Sequence, residues 1–165
     1  MKFITHALAV MVLTGLSACS GTINLTPPHQ TSIINSYTFE SNYEKTWLLV
    51  VDFLAFNNIN INKIEKTSGF ISAKFDRQRF PQTLDCGKVE ASTLATIRQY
   101  KETAGLNITV RKISGKTTRV NVNISGSYTG MGYDDGWENH LPFSGNCMST
   151  GIIEKSLREY ISTMI

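Results

Sequence analysis

The sequence predicts an α+β domain: a curved antiparallel sheet of five or six strands, packed on one face by two helices, in the order β-α-β-β-β-β-β-α. Three observations point there. Apolar and polar residues alternate in several segments, most cleanly at Val120, Val122, Ile124 and Tyr128, which is the period of a half-buried strand. Two other segments, one near each end of the domain, carry apolar stripes of helical period. Each strand has a single apolar face that needs a cover, and two amphipathic helices on one side supply it.

The chain opens with "MKFITHALAVMV", a lysine followed by aliphatic and small residues, which is the build of a secretory signal peptide over residues 1–18. Its apolar run, residues 7–16, is shorter than the roughly 20 residues that a spanning helix needs. The run ends in Leu16-Ser17-Ala18-Cys19. That tetrapeptide resembles the lipobox of bacterial lipoproteins. The resemblance implies cleavage before Cys19, with lipid on its thiol and on the new amino terminus. Each buried acyl CH₂ contributes about 0.8 kcal/mol, so several chains on one residue make a durable anchor where one would not. A plain signal peptide with a chance cysteine is the alternative. Ser20 follows, where an aspartate tends to hold such lipoproteins at the inner membrane. The resemblance therefore implies an outer-membrane protein facing the periplasm. Residues 20–35 are polar, contain Pro27-Pro28, and read as a flexible tether that lifts the domain off the membrane.

The domain is expected over residues 36–165. Tyr37 and Phe39 share one face of a short strand. Ser41 and Glu44 form a capping-box pattern. The helix after it stripes Tyr43, Trp47, Val50, Val51 and Leu54, and Asn57-Asn58 ends it because Asn tolerates the left-handed conformation. Ile59 and Ile61 alternate with asparagines, "KTSG" turns the chain, and Ile71, Ala73 and Phe75 alternate again. Residues 76–88 break the pattern and form a loop carrying Cys86. Residues 89–101 fit a strand or a helix, with strand favoured. Leu106, Ile108 and Val110 form a strand, and Ser114-Gly115 turns into the strand of Val120. Residues 130–146 read as a long glycine- and aromatic-rich loop. A final helix from about Thr150 stripes Ile153, Leu157, Tyr160, Ile161 and Met164.

Removal of residues 1–18 from the 165 leaves 147, enough for one domain with its own core. The full chain carries net charge +3, and its basic residues are dispersed, which argues against nucleic acid as a partner. With Cys19 lipidated, Cys86 and Cys147 remain as an even pair in an oxidising compartment. They fit a disulfide, with free thiols or a metal site as alternatives; the few histidines weigh against metal.

Several features together carry a second resemblance: the lipobox, "YEKTW" opening the first helix, "GFISAKF" after the turn, "DCG" at Asp85 to Gly87, and "CMSTG" with Glu154 at the last helix. They are similar to the helix-grip domains of the C lipoprotein of the β-barrel assembly machinery and of small envelope lipoproteins with that plan. The resemblance implies a helix-grip fold over residues 36–165 and a place in an envelope assembly or secretion apparatus.

No catalytic set emerges. His140 with Asp134 or Asp135 and a serine is formally a hydrolase arrangement, but no G-x-S-x-G elbow is present. Asp134, Asp135 and Glu138 could gather calcium, yet they do not match an EF-hand loop, and a solvated acidic turn is the plainer reading. Gly130, Gly132 and Gly136 do not follow G-x-G-x-x-G, so no cofactor is expected. The glycine-rich loop carries Tyr128, Met131, Tyr133, Trp137 and Phe143 as candidate partner-binding residues, since aromatics and Met are enriched at interface cores. The alternative is that these rings fold back as a lid. The expected function is a non-enzymatic, lipid-anchored envelope protein that binds or scaffolds a protein partner. A small-ligand or lipid-binding domain and a hydrolase using His140 are the competing readings.

Overall fold

Two long strands organise the molecule. The computed structural model describes residues 20–165; the expected signal peptide and Cys19 lie outside the described residues. The elements are β1 (Ile23–Thr26), β2 (Ser36–Phe39), α1 (Tyr43–Phe56), β3 (Asn60–Glu65), β4 (Phe70–Lys74), β5 (Leu84–Asp85), β6 (Lys88–Ala91), β7 (Ala95–Lys112), β8 (Thr118–Asp134), β9 (Asn139–Ser149) and α2 (Ile152–Met164). The fold is α+β, with a strongly curled antiparallel sheet and two helices. The sheet has seven strands in the order β3-β4-β7-β8-β9-β5, with β2 also on β8, and β1 and β6 pair separately.

β8 is long enough to take two partners along one side. Ser36–Phe39 of β2 pair with its first residues, and β9 pairs with it from Gly126 to Asp134. On its other side β7 runs alongside throughout. The sheet therefore has two halves. The half at Thr118 to Val122 is covered by the helices. Val50 and Leu54 of α1 and Leu157 and Ile161 of α2 share a core with Ile71, Ile108, Val110, Val120 and Val122, each at most 1% exposed. Each such side chain contributes about 1.5–3 kcal/mol by leaving water. The other half, Gly126 to Asp134, projects beyond the helices.

The helix ends show local chemistry. The N-cap of α1 is Asn42 rather than Ser41: its side-chain oxygen accepts the Lys45 N–H at 2.9 Å. Glu44, no longer at the capping position, pairs with Lys66 at 2.5 Å. Asn58 closes the helix in the left-handed region, at φ +53°. α2 starts after Gly151 at φ +85°. Buried Glu154 accepts the Ser149 hydroxyl at 2.7 Å, and that oxygen in turn accepts the Gly151 N–H at 3.1 Å. A carboxylate in the first turn also suits the helix dipole.

Two expectations are corrected. Residues 20–35 are not wholly a free tether, because Ile23–Thr26 pair antiparallel with Lys88–Ala91. Ile23 and Leu25 alternate as strand residues do, and Pro27-Pro28 falls after this strand, not before it. Residues 130–146 are not a loop. They are the facing ends of β8 and β9, joined by a short turn at residues 135–138.

Candidate functional site

The sheet half beyond the helices carries the aromatic residues singled out in the sequence, and the pleat divides them. Tyr128 and Gly130 alternate with Thr129 and Met131, so Tyr128 points inward and Met131 outward. Phe143 pairs opposite Gly130 and shares the inner face. Tyr128 and Phe143 are buried at 4% and 8% exposure, so neither offers a surface to a partner. The reason is glycine. A Cβ at Gly130 would collide with the Phe143 ring, and one at Gly145 with the Tyr128 ring. The rings lie over positions that lack side chains, as aromatic residues do when they rescue glycines in sheets.

Met131 and Tyr133 are half-buried on the outer face. Tyr133 pairs across the strands with His140, whose ring meets it edge-on at 5.8 Å. The Arg98 guanidinium lies 5.4 Å from the Tyr133 ring centre. Trp137 is in the turn and is 56% exposed. The acidic residues beside it are turn-formers. Asp134 Oδ1 accepts the Gly136 and Trp137 N–H groups at 2.9 and 3.3 Å, and Asp135 accepts the Thr96 hydroxyl at 2.8 Å. No group of three or more His, Cys, Asp or Glu among the described residues is placed to hold a metal ion.

A loop crosses over the inner face of this half. Cys86 in that loop and Cys147 on β9 have their Sγ atoms 1.96 Å apart, a disulfide. Leu84 packs at Gly126, and Ile23 of β1 packs at Gly132. Asp85 fastens the crossing by accepting the Gly87 and His29 N–H groups at 2.8 and 2.9 Å. These two hydrogen bonds hold its carboxyl below the usual carboxylate range.

A cleft of about 860 Å³ opens beside the loop, and its lining includes Arg77, Gln78, Tyr100, Glu102, Ser127 and Asn146. Sequence reasoning missed its central group. Glu102 Oε1 accepts the Tyr100 hydroxyl at 2.7 Å and also binds the Arg77 guanidinium. Arg77 donates to the Leu84 carbonyl as well, at 3.3 Å. Tyr100 stacks on Tyr128 and Phe143, with centroids 5.8 and 6.2 Å away, yet stays 45% exposed. Burial, and then the Glu102 carboxylate that accepts its hydrogen bond, push its phenol up to about 12. The i, i+2 spacing of Tyr100 and Glu102 was a strand-face signal. It was obscured because the alternation around residues 89–101 is weak, and a bulge between Ile97 and Gln99 shifts the register.

The chain was compared with known proteins: no family model matches it, and no curated protein does.

Proposed function

We propose that the protein is a lipid-anchored envelope protein, not an enzyme, that binds another protein of an envelope assembly or secretion apparatus through the outer face of the β8–β9 half. The observation that carries this reading is the contrast between a closed core and an open aromatic end. Side chains fill the space between helices and sheet, whereas Tyr133, Met131, Arg98 and His140 gather on a surface that the helices do not cover. Tyr, Met and Arg are the residue types enriched at interfaces, and Tyr and Arg recur at their hot spots. The anchor rests on the lipobox-like Leu16-Ser17-Ala18-Cys19. His140 rests edge-on against the Tyr133 ring, as part of this aromatic surface.

A second reading is favoured by the cleft. Its lining of Arg77, Glu102, Asn146 and Ser127 suits a polar ligand more than an acyl chain. One experiment addresses both. A photocrosslinking amino acid is placed at Tyr133, at Gln78 in the cleft, and at Asn123, which is farther along the same outer face as Tyr133. Irradiation of intact envelopes should yield one discrete larger species from position 133 and none from 123. Capture from position 78 alone would move the site to the cleft, and equal capture from all three would reject a defined interface.

A further inference from the structure

We infer that the β8–β9 turn lies against the bilayer surface, with Trp137, Leu94 and Ile97 seated among lipid headgroups. This rests on the anchoring of Cys19 proposed above.

The argument is one of reach. The described chain begins at the turn end of the sheet, not beside the helices. The Thr22 N–H donates to Ser92 Oγ at 2.9 Å, and the Ser92 N–H donates to the Thr22 carbonyl at 3.0 Å. Gly21 lies flat on the backbone of Leu94, where a Cβ would collide with the Leu94 carbonyl and approach Ala95 Cβ to 3.0 Å. That same Leu94 carbonyl accepts the N–H of Asp135, the first residue of the turn, at 3.0 Å. Gly21, Leu94 and Asp135 are therefore stacked at one end. Cys19 precedes Gly21 by two residues, which reach at most about 7 Å even fully extended. Acyl chains on Cys19 thus enter the bilayer next to this turn. Pro27-Pro28 comes after β1, so it adds no spacing between lipid and domain.

The turn end also carries suitable side chains. Trp137 is 56% exposed, Leu94 38% and Ile97 36%. Tryptophan concentrates at membrane interfaces because its ring is apolar and its indole N–H is a donor. Arg98 faces Asp135, with nitrogen and oxygen 3.8 Å apart, and Glu138 adds an acidic charge beside Trp137. The end therefore has no basic surplus, and its contact with the bilayer is independent of anionic lipid, unlike a polybasic patch.

The acylated protein, purified from membranes, is reconstituted into phosphatidylcholine vesicles whose acyl chains carry bromine. The chain has two tryptophans. Trp47 is 4% exposed in the helix-covered core and serves as an internal reference, so the wild-type signal minus that of Trp137→Phe is the Trp137 signal. Most of this difference signal should be lost in brominated vesicles, to the same degree when part of the lipid is phosphatidylglycerol, and aqueous iodide should not reach it. Trp137 emission that is unaffected by bromine and open to iodide, in acylated protein, overturns the membrane contact and leaves the anchor standing. The same holds if shielding appears only in native envelopes, which would assign the turn to a protein partner. Mass spectrometry that finds Cys19 unmodified in the membrane-purified protein overturns the anchor itself, and this inference with it.

Discussion

Tyr100 shows how much of the site depends on single atoms. Its hydroxyl donates to Glu102 Oε1, which also holds Arg77, so one carboxylate oxygen ties strand β7 to the crossing loop. The phenol has its ordinary value near 10 in the unfolded chain and about 12 in the fold, so folding favours the protonated form. That contribution is fully present below about pH 10 and is lost as pH rises from there through about 12. Urea midpoints of the wild type should fall between pH 10 and 12, and Tyr100→Phe should flatten that fall. Part of the slope should remain, because burial also raises the phenols of Tyr37 and Tyr43. Equal slopes in the two proteins would mean that the Tyr100–Glu102 contact is not held in solution. At this scale the sequence is a partial guide. It pairs Cys86 with Cys147 correctly, but it does not reveal that Asn42 outcompetes Ser41 as the cap. The alternation of Val120, Val122, Ile124 and Tyr128 does put Tyr128 on the inner face, where it is buried, although its aromatic neighbours also made it a candidate for partner binding.

At the scale of elements, helices and alternating strands were legible, and the glycine-rich hairpin was not. Gly126, Gly130 and Gly132 occupy the inner face of β8, where a strand pattern calls for apolar side chains. The missing side chains are supplied from elsewhere, by Leu84, Phe143 and Ile23. Alternation thus persists in space but vanishes from the sequence, and the segment reads as a loop. Strand β1 was hidden for a related reason: four residues pair with a strand far away in sequence, and no local signal marks that pairing. The ring-over-glycine packing makes a direct prediction. Gly130→Val should displace the Phe143 ring and cost about 1–3 kcal/mol in urea unfolding, the usual range for overpacking. Gly115→Ala is the control, since nothing lies within 4 Å of the added methyl, and it should leave the midpoint unlowered. A neutral Gly130→Val would mean that Phe143 does not rest there.

The whole molecule divides into a half that the helices stabilise and a half that cross-links stabilise. Beneath α1 and α2, Val120 and Val122 are fully buried in an apolar core. Beyond them, β8 is covered by the crossing loop and by β1–β6, a thinner layer tied down by Asp85, by the Arg77–Glu102 pair and by the disulfide. The disulfide closes a loop of 61 residues, for which the chain-entropy model gives about 4 kcal/mol, although calorimetry assigns much of such stabilisation to enthalpy. Its removal should therefore act locally before it acts globally. In a Cys86→Ser, Cys147→Ser variant, amide hydrogen exchange should accelerate strongly at Tyr128 to Asp134 and in β1 and β6. It should change little at Val120 and Val122. The same variant should lower the global unfolding free energy by less than the full chain-entropy figure, because the loosened half has already lost much of its order. The proposed membrane contact would feel this too. β1 is the first described element after Cys19, so a variant that frees β1 from β6 turns a short connection into a tether of up to sixteen residues, 20–35. On the proposed anchoring, quenching of Trp137 by brominated vesicles should then decline and iodide should reach it, with the lipid still on Cys19. Uniform acceleration across β8, with Val120 and Tyr128 rising together, would show instead that the sheet unfolds as one cooperative unit and that the two halves are not energetically distinct.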